Sequence, residues 1–109
     1  MKILISNFAH NSIDMIFEYL SKYSLNSANI FLHNIYSRIY ELEYFPYIGK
    51  YIPELKNIYF RELIYEKYRI FYIISEKQNL IYIYTVIKSK QHFKPNFNKI
   101  LDDFFKFLF

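Results

Sequence analysis

The stretch Ile58–Lys90, IYFRELIYEKYRIFYIISEKQNLIYIYTVIKSK, decides the fold. Three runs rich in Ile, Tyr and Phe, at Ile58–Ile64, Tyr68–Ser75 and Leu80–Ile87, are separated by the polar breaks Tyr65-Glu66-Lys67 and Glu76-Lys77-Gln78-Asn79. β-branched and aromatic residues suit a pleated, half-buried surface, and breaks this short force successive strands to pair antiparallel. The reading is a three-strand meander. Its middle run, Ile70-Phe71-Tyr72-Ile73-Ile74, is apolar without alternation, so both faces of that strand need a cover. Arg61, Arg69, Lys88 and Lys90 are seeded through this block, where an unpaired charge is costly to bury, and they are the first functional candidates.

The covers come from either side. Lys2–Ser6 reads as a short strand, and after it the apolar period changes. Ala9, Ile13, Ile16, Phe17 and Leu20 make one stripe of a helix that Ser6 or Asn7 caps. Lys22–Asn26 is a break, and a second helix runs from about Leu25 to Glu43 behind the cap Ser24, with Ala28, Phe31, Leu32, Ile35, Ile39 and Leu42 on one face. The pair is a helical hairpin. Phe45-Pro46-Tyr47-Ile48-Gly49-Lys50 ends it, since proline disfavours helical geometry before it and the single glycine offers a left-handed turn. Pro53-Glu54-Leu55 prolongs the loop. Beyond Lys90, the segment Asn96–Leu108 reads as a last helix with Phe97, Ile100, Leu101, Phe104 and Leu108 on one face. Phe105, Phe107 and Phe109 lie off that stripe, and they either complete the core at a sheet edge or form an interface for a partner helix or a second copy of the chain.

Composition narrows the class. A chain of 109 residues is expected to be one α+β domain, residues 1–109, with a twisted antiparallel sheet, the hairpin on one face and Lys2–Ser6 at an edge. With no Cys and three scattered His, neither a disulfide framework nor a zinc site is expected, and no cofactor is implied. Ile3-Leu4-Ile5 is too short for a signal-peptide core and no apolar run nears the ~18 residues of a membrane span, so the expectation is a cytoplasmic protein without membrane contact. One Gly excludes a Gly-rich phosphate loop, and Ser6, Ser12, Ser21 and Ser24 sit at helix ends with no His–Asp arrangement.

Charge is uneven. Residues 1–55 are near neutral and the rest of the chain is basic, with the excess within Lys56–Lys94, which points to a polyanionic partner. Part of this basicity follows from a sequence loaded with residues of A/T-rich codons, a bias that does not favour arginine. Thirteen Tyr and twelve Phe could stack on bases beside cations, although most are needed to fill the core.

The order strand, helix, helix, three strands, helix now aligns with particular residues. Ala28, Phe31, Ile35, Ile39, Leu42, Phe45, Pro46, Ile48, Gly49 and Lys50, then Pro53-Glu54-Leu55, Arg61-Glu62-Leu63, Tyr68-Arg69-Ile70 with Tyr72, and Val86 with Lys88 and Lys90, resemble the RelE/ParE toxin superfamily. The resemblance spans roughly Phe8 to Phe93 and rests on the joint order of these pieces. It implies the toxin of a bacterial type II toxin–antitoxin pair, partnered by an antitoxin.

Two mechanisms are implied within that superfamily. RelE-like members cut messenger RNA on the ribosome without metal, and ParE-like members poison DNA gyrase. A ribonuclease needs a base, an acid and cations on the phosphate. Arg69 would be the central cation, supported by Arg61, Lys88 and Lys90. The acid–base pair is poorly matched: Lys88 stands where the family motif has His, Lys90 where it has Arg, and Phe93 where cleaving members often have Tyr. Glu62 and His92 remain as substitutes, with Glu62 also readable as a strand ion-pair partner and His92 as a surface residue. These departures, with the F-P-x-I-G-K and P-E-L segments, favour the gyrase reading over the ribonuclease. A toxin fold that only binds its antitoxin is the third alternative.

Overall fold

A computed structural model of the chain describes residues 1–52 and 60–89 together with Lys99, Ile100, Asp102, Asp103 and Lys106. Strand β1 (Lys2–Ile5) leads into helices α1 (Asn7–Ser21) and α2 (Leu25–Tyr40), and a 3-10 turn over Glu41–Glu43 follows. Next come β2 (Lys50–Tyr51) and the meander β3 (Phe60–Tyr65), β4 (Tyr68–Ser75) and β5 (Leu80–Lys88). The five strands lie in the order β1-β5-β4-β3-β2.

Capping defines the helices. The Ser6 hydroxyl accepts the Ala9 N–H at 2.9 Å and donates to the Tyr84 carbonyl at 2.8 Å, so the cap of α1 also ties that helix to β5. Ser24 caps α2 by accepting the Ser27 N–H at 3.1 Å. One face of the hairpin buries Ala9, Ile13, Phe31, Ile35, Ile39 and Leu42 against Leu63, Tyr68, Ile70, Tyr72, Ile74, Ile81 and Ile83 of the sheet.

The unbroken apolar run of β4 is divided between two cores. Ile70, Tyr72 and Ile74 face the helices, while Phe71 and Ile73 join Ile52, Phe60, Tyr82, Tyr84 and Ile100 on the other side. Lys99, Ile100, Asp102, Asp103 and Lys106 are helical, in agreement with a last helical segment. Phe97, Leu101, Phe104, Phe105, Phe107, Leu108 and Phe109 lie outside the described residues, as do Pro53-Glu54-Leu55 and Ile58.

Three features depart from the sequence reading. The sheet is mixed, because β1 runs parallel to β5, with Lys2 opposite Leu80 and Ile5 opposite Ile83. Short breaks constrain only consecutive strands; the chain between β1 and β5, through the helical hairpin and β2 to β4, is the long connection that a parallel pair requires. Lys50 and Tyr51, read as loop, pair with Glu62 and Arg61 as an edge strand. Gly49 has no left-handed backbone, since no glycine shows positive φ. Its lack of a side chain serves a close approach instead.

The left-handed positions fall elsewhere. Asn79 (φ 53°) precedes β5, where asparagine tolerates that geometry, but Glu66 (φ 50°) opens the two-residue turn between β3 and β4, where a side chain is unfavourable. Glu66→Gly is therefore expected to raise stability by about 0.5–1 kcal/mol in urea unfolding, with glycine's added chain entropy already offset against the relief. A loss of stability would show that the Glu66 side chain holds the turn.

Candidate functional site

Strand alternation places the candidate cations. Arg69 lies on the face of β4 that carries Phe71, and its guanidinium sits over the Phe71 ring at 4.7 Å. There it meets Glu62 of β3: Arg69 Nε donates to Glu62 Oε2 at 2.7 Å and Nη2 lies 2.5 Å from the same oxygen. Both side chains are largely buried, at 11% and 6% exposure. Desolvating two charges offsets most of their attraction, but removing one partner deprives the other, still largely buried, of its closest opposite charge.

Arg61 lies on the opposite side of the sheet, across from Tyr72. Its Nη1 donates to the Gly49 carbonyl at 2.8 Å, and its guanidinium sits over Tyr47 at 5.1 Å and Tyr51 at 4.7 Å. Its buried Nε finds no acceptor among the described residues. Lys88 pairs with Tyr68 at the far end of β4 and places Nζ 4.6 Å from the centre of the Tyr19 ring. Four residues of strand separate Tyr68 from Tyr72, roughly 13 Å. The structure thus brings Glu62 and Arg69 together, and it places Arg61 and Lys88 elsewhere, on the helix side at opposite ends. Lys90, His92 and Phe93 lie outside the described residues. Among the described residues, no group of three or more His, Cys, Asp or Glu could hold a metal ion.

Sequence reasoning named Tyr72 only as part of the family pattern and gave it no role, yet it organises the loop after α2. The Tyr72 hydroxyl donates to the Pro46 carbonyl at 2.9 Å and accepts the Gly49 N–H at 3.0 Å. A Cβ on Gly49 would fall 2.4 Å from the Tyr72 oxygen and 2.6 Å from the Glu62 carbonyl oxygen, so only glycine fits. Burial pushes the Tyr72 hydroxyl up to about 12, against the opposing effects of the Gly49 N–H, Arg61 and Arg38. The loop held this way turns its aromatics outward: Tyr44, Phe45, Tyr47, Ile48 and Tyr51 are all exposed, Tyr44 by 77% and Phe45 by 61%. Tyr47 also donates to Glu76. The signal was present as five nearly continuous apolar residues, Tyr44 to Ile48, in a segment otherwise read as a helix stop.

An arrangement of this kind can present a rigid aromatic surface. Comparison with known proteins gives it a class. The ParE toxin family, described as the toxin of the parDE type II toxin–antitoxin system, matches residues 3–93, and the chain belongs to that family. It is the toxin component of a type II toxin–antitoxin module. Among solved structures, a chain described as the chromosomal ParDE system from P. aeruginosa shares the fold at a TM-score of 0.68 and 16% identity, over 83% of this chain and 97% of that one. Comparison with curated proteins gives no match.

Glu62→Ala is expected to lower stability by about 3–5 kcal/mol, because the largely buried Arg69 loses the carboxylate it is paired with. The Glu62→Ala/Arg69→Ala double variant should lose less than the two single losses combined, and strictly additive losses in a urea double-mutant cycle would refute the pairing. Tyr72 gives a pH signature. The unfolded hydroxyl ionises near ~10 and the folded one near about 12, so its stabilising contribution is complete below the first value and lost as pH rises through the second. Wild-type stability should fall over that window, and Tyr72→Phe should flatten the fall at a cost of roughly 1–3 kcal/mol at neutral pH for the stranded backbone groups.

Proposed function

We propose that this toxin arrests growth by inhibiting DNA gyrase, with the aromatic loop 44–51 as its docking element. The observation that carries the reading is that this loop is pinned to the sheet by Tyr72 and Arg61 while its large side chains stay exposed. A preordered loop loses little entropy on binding, and each large aromatic buried at an interface contributes on the order of 1.5–3 kcal/mol by area. The dispersed cations support the same choice. Phosphodiester cleavage needs charges converging on one phosphate beside an acid and a base, whereas Arg69 is engaged by Glu62 on one face and Arg61 reaches Gly49 on the other. The cognate antitoxin is the partner that restrains the protein.

Purified protein is expected to inhibit supercoiling by gyrase and to leave messenger RNA intact on translating ribosomes. Tyr44→Ser/Phe45→Ser should keep the melting temperature and weaken gyrase inhibition at least tenfold, equivalent to about 1.4 kcal/mol. Efficient ribosome-dependent cleavage without an effect on gyrase would overturn the proposal and return Arg69 and His92 to a catalytic role.

A further inference from the structure

At the other end of the helix side, the turn after β3, the end of β5 and the end of α1 meet. The Ser89 N–H donates to the Lys67 carbonyl at 2.7 Å, which holds the β3–β4 turn beside the last residues of β5. Register places Lys88 opposite Tyr68, and Lys88 Nζ lies over Tyr19 of α1. Tyr19 packs edge-on against Tyr23, with ring centres 5.4 Å apart. Lys22, the residue that caps the end of α1, follows Tyr19 by three residues and immediately precedes Tyr23. Lys67 Nζ lies 6.0 Å from the Tyr68 ring centre.

Lys22, Lys67 and Lys88 are exposed, and none of the three takes part in an ion pair among the described residues. Two acids lie close by in sequence: Glu66 precedes Lys67 and lines a cleft with Ile30, Phe31 and Tyr65, and Glu18 precedes Lys22 by four residues, but neither forms an ion pair with a lysine among the described residues. Tyr23 is 77% exposed, and one edge of its ring is held by Tyr19. Three lysines without ion-pair partners among the described residues, near an exposed aromatic ring, match the chemistry of phosphates and unpaired bases together.

We propose that this corner binds single-stranded nucleic acid, with Lys22, Lys67 and Lys88 on the phosphates and Tyr23 stacked on a base. Tyr19 acts as a positioning residue, in contact with both the Lys88 ammonium and the Tyr23 ring. An acidic peptide would satisfy the lysines equally well, but it would leave the open face of Tyr23 unused; the exposed ring is what favours a base. The site lies at the opposite end of the helix side from the loop at residues 44–51, so it stands or falls separately from the gyrase reading.

The test is fluorescence anisotropy of the full chain with a labelled thymidine oligomer of about 16 nucleotides, the upper site size of small single-strand binders. Neutralising three phosphates predicts a log–log salt slope of about −2. Lys22→Ala/Lys67→Ala/Lys88→Ala should bind at least tenfold more weakly with a slope near zero. Tyr23→Ala should weaken binding about fivefold or more with the slope unchanged, and Tyr23→Phe should match wild type. No binding at low salt, equal affinity in the Tyr23→Ala variant, tighter binding of a duplex of equal length, or displacement by poly-glutamate at equal charge concentration would each overturn the proposal. None of these measurements involves gyrase.

Discussion

Burial of both faces of the strand Tyr68–Ser75 is the constraint on which the rest of the structure depends. A strand covered on both sides leaves its polar groups little water, so a charged or hydroxyl-bearing side chain in or beside it is costly unless it finds a partner within the protein; among the described residues the Tyr68 hydroxyl and Arg61 Nε do not. Arg69 finds Glu62, and Tyr72 finds Pro46 and Gly49. Each solution shapes the surface. The ion pair seals the end of the second core, while the tyrosine pulls the loop after α2 onto the sheet and turns Tyr44, Phe45 and Tyr47 outward.

The same burial separates charges that lie close together in sequence. Arg61 and Arg69 are eight residues apart by number and sit on adjacent strands, yet the pleat sends them to opposite faces. A protein built this way does not converge Arg61 and Arg69 on one phosphate. It is well arranged to present separate surfaces, an apolar one at the Tyr72 end and a basic one at the Lys88 end.

Most of the fold was legible because the deciding signals are local. The change of apolar period after Leu42, the caps Ser6 and Ser24, and the two polar breaks of the meander all act within a few residues. What was not legible depended on distant contacts. The parallel direction of β1 depends on its pairing with β5 across a long connection, and the two-residue strand at Lys50 exists only because Glu62 and Arg61 offer it an edge. The single glycine was read as a left-handed turn because backbone freedom is the commoner reason for glycine. Its reason here, the Tyr72 hydroxyl hydrogen-bonded to its N–H and occupying the space a Cβ would need, lies twenty-three residues away. Likewise, Arg61, Arg69 and Lys88 were identifiable as unusual, but not their distribution over two faces, since side-chain direction depends on register.

The separation of the two arginines is the central claim, and side-chain NMR tests it directly. The account predicts nuclear Overhauser contacts from the Arg69 guanidinium to Phe71, slow exchange of its Nε–H behind Glu62, and contacts from Arg61 to Tyr47 and Tyr51. It predicts none between the two arginine side chains. Contacts between Arg61 and Arg69, or joint shifts of both on titration with inorganic phosphate, would place them on one face and contradict it.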